Sequence, residues 1–251
     1  MDADGRLPPP VRVINEGGSS PYVLLCEHAS RFMPPACNGL GLAAHELSRH
    51  IAWDIGAAEV AEALSRALDA PLVMAGYSRL LIDLNRPTGS PTSIPEISEA
   101  TVIPGNLNLT ADERAQRIAL YFDPFQSAVH RLLDVRQQGG EPTTVVGVHS
   151  FTPVYKGVAR PWHAGILYRK SSVFGHALAE ALGGPSRAIA ENEPYQIEDD
   201  SDYTVPVHGE ARGLDAVLVE IRQDLIAEPQ GAAIWSGRLA AALAACASPA
   251  A

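Results

Sequence analysis

Positive charge and cysteine are both scarce in this chain. Its 251 residues carry 19 Lys and Arg against 29 Asp and Glu, a formal charge of −10. Nucleic acids and anionic membranes both need a basic surface to bind, so neither is an expected partner. An acidic protein can hold an acidic small molecule only through locally placed arginines. The three cysteines, Cys26, Cys37 and Cys246, are odd in number and fit no Cys-rich metal spacing. Cys26 lies inside an apolar run and reads as a core residue, which points to a reducing, cytoplasmic setting. No stretch approaches the roughly 18 apolar residues of a membrane helix. Met1 to Pro10 is polar and proline-rich, unlike a secretory signal. Internal repeats and linkers are also lacking. The expected organisation is an N-terminal tail over residues 1–20 and one domain over residues 21–246.

A hydrophobic fraction of 46% in a chain of this length suffices for a large core without staples. Short apolar runs at Tyr22–Cys26, Leu72–Ala75, Leu80–Leu84, Thr144–Val148, Ala164–Tyr168 and Ala216–Ile221 read as strands. Several lack alternation, as central strands covered on both faces do. Between them, Ala43–Leu68 carries an apolar stripe of Leu47, Ile51, Ala58, Ala61, Leu64 and Leu68, the spacing of a helix. Thr110 and Glu113 form a capping box that opens a second helix, broken or kinked at Pro124 before it runs towards Gln138. Further helices are expected over Ser172–Leu182 and Ala232–Ala245. The alternation implies a single α/β domain with a mainly parallel mixed sheet flanked by helices. Pro87–Leu109 and Glu191–Asp215 resist assignment, and segments this long and irregular are expected as walls or lids of a site.

Three apolar runs deliver a reactive side chain. Tyr22-Val-Leu-Leu-Cys-Glu-His28 and Thr144-Val-Val-Gly-Val-His149 end in histidine, and Ala216-Val-Leu-Val-Glu220 places a carboxylate late in its strand. Open parallel sheets bind ligands beyond the carboxyl ends of their strands, so these three are expected to converge. Asp54 falls on the expected helical stripe, facing the sheet, where an unpaired carboxylate is costly and calls for a cation. Two imidazoles and a carboxylate with an open fourth position suit catalytic zinc, Zn2+ or another divalent metal, and leave Glu220 as general base. Each residue alone also has a structural reading. A strand-end histidine is commonly just hydrogen-bonded, Asp54 could pair with an arginine, and Glu220 with Arg222. No compact motif such as HExxH is present. Of the remaining histidines, His208 lies in the second long segment and is a candidate substrate contact.

Six stretches, in order, resemble the N-formylglutamate amidohydrolase family. They are Glu27-His-Ala-Ser30, His50-Ile-Ala-Trp-Asp-Ile-Gly-Ala57, Ser78-Arg-Leu-Leu-Ile-Asp-Leu-Asn-Arg86, Val148-His-Ser-Phe-Thr-Pro153, Glu191-Asn-Glu-Pro-Tyr195 and Leu218-Val-Glu-Ile-Arg-Gln-Asp-Leu-Ile226. The resemblance implies a phosphorylase/hydrolase-like fold, akin to zinc carboxypeptidases and muramoyl-alanine amidases. It implies metal ligation by His28, Asp54 and His149 with Glu220 catalytic, Glu27 being the alternative acidic ligand. It further implies a small anionic N-acyl amino acid as substrate, cut to formate and the amino acid. Arg86 and Arg222 are then expected to hold its carboxylates, since an arginine fork pairs with a carboxylate bidentately. Asn85, Asn192 and Tyr195 are expected as neutral contacts. A different N-acyl amino acid or small peptide, or a binding protein without catalysis on the same scaffold, are the rival readings.

Overall fold

The structure is a computed structural model and describes residues 7–247. In chain order its strands and helices are β1 (Val11–Ile14), β2 (Tyr22–Cys26), α1 (Ala57–Leu68), β3 (Leu72–Ala75), β4 (Ile97–Ser98), β5 (Thr101–Val102), α2 (Ala111–Arg117), α3 (Asp123–Gln138), β6 (Thr144–Phe151), β7 (Val154–Tyr155), β8 (Val158–Ala159), β9 (Ala164–Leu167), α4 (Ser172–Ala181), β10 (Ile189–Glu191), β11 (Asp215–Arg222) and α5 (Pro229–Cys246). Seven strands form one sheet in the order β1-β3-β2-β6-β11-β9-β10. Strands β3, β2, β6 and β11 run parallel, while β1 and the β9/β10 pair join antiparallel to the neighbours β3 and β11. The expected α/β class with a mainly parallel mixed sheet is the one observed.

Burial explains the layers. Strands β2, β3 and β9 are buried at every position, so both sheet faces must be covered. One face packs on α1, α4 and α5 through Leu24, Val60, Leu64, Val219, Trp235 and Leu239. The other packs on α3 through Val23, Leu25, Phe125, Val129, Leu133 and Leu218. Among the described residues no helix is long and apolar enough to cross a membrane.

Three expectations about local structure are corrected. The first helix begins at Ala57, not Ala43. Gly56 precedes it at φ +79°, and a Cβ there would stand 2.2 Å from the carbonyl oxygen of Ile226, so a helix cannot continue back through this point. Residues 43–56 form turns instead, and Asp54 sits in one of them. The run Leu80–Leu84 is buried but is not a strand. Its backbone closes turns, Leu81 N–H on Ser78 O (3.0 Å) and Arg86 N–H on Asp83 O (3.3 Å), and Asp83 N–H reaches Ser93 O at 2.7 Å. Finally, the expected tail contributes the edge strand β1, paired with β3. Residues 1–6 and 248–251 lie outside the described residues. The capping box on α2 is formed, and the kink expected at Pro124 is a wide turn over Ile118–Phe122 that leads directly into α3.

Candidate active site

Topology brings the reactive side chains together at the carboxyl edge of the sheet. Strands β6 and β11 are parallel neighbours in a register that sets His149 beside Glu220. His28 follows the end of β2, and its carbonyl accepts the Asp54 N–H at 3.0 Å, which ties the turn before α1 to the strand edge. Asp54 is thus held by the turn and not by a helical stripe, and a Gly56 that only a glycine can occupy keeps that turn in place.

All four side chains are buried. Asp54 Oδ2 lies 3.3 Å from His28 Nδ1 and 2.9 Å from His149 Nδ1, and the two Nδ1 atoms are 3.2 Å apart. Four-coordinate zinc with bonds of about 2.0–2.1 Å places its ligand atoms about 3.3 Å from one another. The three atoms already stand close to that spacing. The outer nitrogens explain which way the lone pairs face. His28 Nε2 donates to Asp83 Oδ1 at 2.7 Å. His149 Nε2 lies 3.2 Å from Glu27 Oε2, though off the line of a good hydrogen bond. A carboxylate behind each ring favours the proton on Nε2 and turns a bare Nδ1 towards Asp54, the arrangement by which metal-binding histidines are oriented. Glu27 is therefore the support of His149, its other oxygen accepting from the Thr204 hydroxyl, and Asp54 is the carboxylate inside the triad.

The electrostatics agree. Burial drives the His28 and His149 imidazoles towards neutrality, but the carboxylates around them win, and both pKa values move up, His149 far up. Burial likewise pushes the Asp54 carboxyl up, and the imidazoles outweigh it and hold it well below the usual range. A dry pocket that attracts a proton this strongly attracts any small cation. His28, Asp54 and His149 thus fit a divalent metal by distance, lone-pair direction and charge. Glu220 is different: burial raises its pKa to about 7, and its Oε2 has no hydrogen-bond partner among the described residues.

These groups line a cavity of about 610 Å³. The two long irregular segments wall it, Thr92, Pro95, Ile97 and Glu99 from one, Tyr195, Gln196, Glu198 and Asp202 from the other. Of the expected substrate residues, Arg86, Asn85 and Tyr195 reach the cavity. Arg86 faces Asp202 Oδ1 at 3.5 Å. Asn85 accepts the N–H groups of Tyr203 and Thr204 at 3.1 and 2.8 Å, fastening the second segment. The Tyr195 hydroxyl accepts from Arg160 Nη1 at 2.9 Å.

Three expected residues are not in the cavity. Arg222 ends β11 and turns to Asp224 at 2.8 Å, with the carbonyl of Trp162 at 3.4 Å, bracing the loop before β9. Asn192, at φ +54°, accepts the Tyr168 N–H at 2.9 Å and secures the end of β9. His208 is wholly buried with Nε2 2.6 Å from Gln126 Oε1, and burial lowers its pKa to about 3. The local path of the backbone decides all three. Two residues go beyond the expected set. Asp83 orients His28, and Arg79 donates to Asp83 Oδ2 (3.0 and 2.5 Å) and to Asp54 Oδ1 (3.3 Å). Their signal was an ionisable pair flanking the apolar run Leu80–Ile82, where neither charge could be idle.

Known proteins resemble this chain in sequence and in fold. The family model for N-formylglutamate amidohydrolase matches residues 20–227. A solved structure of a gene product from Agrobacterium tumefaciens superposes with a TM-score of 0.93 at 39% identity, over 99% of this chain and 97% of that one. An N-formylglutamate amidohydrolase from Ralstonia eutropha JMP134 superposes with a TM-score of 0.67 at 19% identity, over 94% of this chain and 97% of that one, a likeness of fold. No curated protein matches the chain.

Proposed function

The chain belongs to the N-formylglutamate amidohydrolase family, and from that premise we propose that it is a metal-dependent amidohydrolase that removes the formyl or another short acyl group from an N-acyl amino acid. The observation that carries the metal dependence is the meeting of His28 Nδ1, His149 Nδ1 and Asp54 Oδ2 within 3.3 Å of one another in a buried pocket. Zinc, or another divalent metal, held there would lower the pKa of water and polarise the scissile carbonyl.

The protein's own groups supply the rest. Glu220, unpartnered and with a pKa raised to about 7, takes a proton from the attacking water and returns it to the leaving amine. Asp83 and Glu27 hold the two imidazoles in the tautomer that leaves Nδ1 free. Arg79 neutralises the outer oxygens of Asp54 and Asp83, which keeps both carboxylates compatible with a dry pocket. Arg86 at the cavity wall is the anchor for the substrate's α-carboxylate, with Asn85 and Tyr195 as neutral groups beside it. The products are formate, or another short carboxylate, and the free amino acid.

The test joins metal analysis to a formate-release assay. The purified protein should hold one divalent ion per chain and release formate from N-formyl amino acids. His149→Ala should lose both ion and turnover. Full metal content in that variant would reject the site, and a metal-loaded wild type inert towards every N-acyl amino acid would reject the activity.

A further inference from the structure

The charge on the cavity wall constrains the substrate's side chain. Six carboxylates line the cavity against two guanidiniums, Arg79 and Arg86. Both guanidiniums already face a carboxylate. Arg79 spends its fork on Asp83 and Asp54. Arg86 faces Asp202, which is itself fixed: Asp202 Oδ1 accepts from Asn85 Nδ2 at 3.3 Å, and Oδ2 accepts from Glu198 N–H at 3.2 Å and Ser201 Oγ at 3.0 Å. With this bracing Asp202 cannot swing aside to surrender Arg86 entirely. Among the described residues Arg86 meets Asp202 through Nη1 alone, which leaves Nε and Nη2 for one carboxylate. For a second there is no cation among the described lining residues that lacks a carboxylate partner already. What the lining offers instead is Glu198 and Asp202, with the neutral polar groups of Thr92, Ser98, Tyr155, Gln196 and Ser201. A carboxylate placed there meets like charge in a partly dry pocket, whereas an amide or an ammonium finds acceptors.

We propose that the side-chain end of the cavity excludes carboxylates and takes an uncharged polar or cationic side chain, with Asp202 setting the sign. This rests on the reading of the protein as an N-acyl amino acid hydrolase, and it narrows the substrate class to monoanions or zwitterions. The substrate's single anchoring carboxylate sits on Arg86, its acyl group points to the triad, and its side chain meets Asp202 and Glu198.

The test compares N-formyl-L-glutamate, N-formyl-L-glutamine and N-formyl-L-lysine on the metal-loaded protein, by kcat/KM for formate release and by calorimetric Kd on the metal-loaded Glu220→Gln variant. Glutamine and lysine derivatives should each show at least a tenfold higher kcat/KM and at least a tenfold lower Kd than the glutamate derivative. Asp202→Asn should raise the ratio of kcat/KM for N-formylglutamate to that for N-formylglutamine at least fivefold. A glutamate derivative that equals or beats glutamine in Kd would overturn the proposal, and so would an Asp202→Asn variant with an unaltered glutamate-to-glutamine ratio. Absence of formate from all three would reject the hydrolase reading, and the order of Kd values would then still decide the side-chain preference.

Discussion

Replacing Asp83 by asparagine should weaken metal binding although Asp83 is not a ligand. Its carboxylate serves two charged neighbours, His28 Nε2 through Oδ1 at 2.7 Å and Arg79 through Oδ2 at 2.5–3.0 Å. An amide can satisfy only one of them. With its oxygen towards Arg79, the NH2 group faces His28 Nε2 and favours the tautomer protonated on Nδ1, the atom that must carry the lone pair. With its oxygen towards His28, the NH2 group opposes the guanidinium, donor against donor, and Arg79 loses its best partner. Hydrogen bonds to charged groups contribute about 1.5–3 kcal/mol, which at about 1.4 kcal/mol per tenfold is a loss of about 10- to 150-fold in affinity. That range agrees with the ~10–100-fold seen when supports of metal-binding histidines are removed. Competition with a chelator of known affinity measures the Kd directly, and circular dichroism of the same samples checks the fold. An asparagine variant that is folded and binds metal as tightly as wild type would refute the tautomer argument.

Further outcomes follow from the same geometry. Glu220→Gln should keep the metal but lose turnover by several orders of magnitude, so near wild-type formate release would remove Glu220 from the chemistry. The same substitution should stabilise the metal-free protein at pH 8. A carboxyl whose pKa is raised to about 7 on folding must ionise against burial, so stability is full below the unfolded value near 4.5 and declines as pH rises through 7; urea titrations at pH 5 and pH 8 should show a gain of up to about 3 kcal/mol at the higher pH alone. His208 acts in the opposite direction along the pH scale. Buried neutral with a pKa lowered to about 3, it must bind a proton in the unfolded chain below its ordinary value of 6.5, so stability present above that value is lost as pH falls from about 6.5 towards 3. His208→Gln, which keeps a neutral donor for Gln126, should cut the stability difference between pH 7 and pH 4 by an amount on the order of 3 kcal/mol, and an unchanged difference would show that His208 is not what acid titrates. Arg222→Ala should lower Tm by a few degrees and leave KM for N-acyl amino acids unaltered, because the side chain braces a loop and does not face the cavity.

The sequence by itself determined five of the sheet's seven strands, β2, β3, β6, β9 and β11, and three of the four reactive residues for sound reasons. Continuous apolar runs mark strands covered on both faces, and a reactive side chain just where such a run ends must arrive at the ligand-binding edge. That logic holds for His28, His149 and Glu220, since strand register is set by burial and needs no distant information. Asp54 was legible for a different reason from the one that operates. Its spacing matches a helix, but the backbone there is a turn pinned by the His28 carbonyl and by a glycine pressed against Ile226. Helical periodicity in a segment with its own tertiary anchors is coincidence, because packing overrides propensity. The roles of Asp83, Arg79 and Glu27 were decided by tertiary structure alone. Which carboxylate lies behind which imidazole depends on contacts 55 and 122 residues apart in the chain, His28 with Asp83 and His149 with Glu27. The same is true of Arg222, Asn192 and His208. The family resemblance for Arg222 and Asn192 and the long segment for His208 suggested that they face the substrate, and only the folded chain shows them bound to Asp224, Tyr168 and Gln126. Local pattern reports burial, which is a property of one segment. The partner of a buried charge is a property of two, and only the folded chain brings them together.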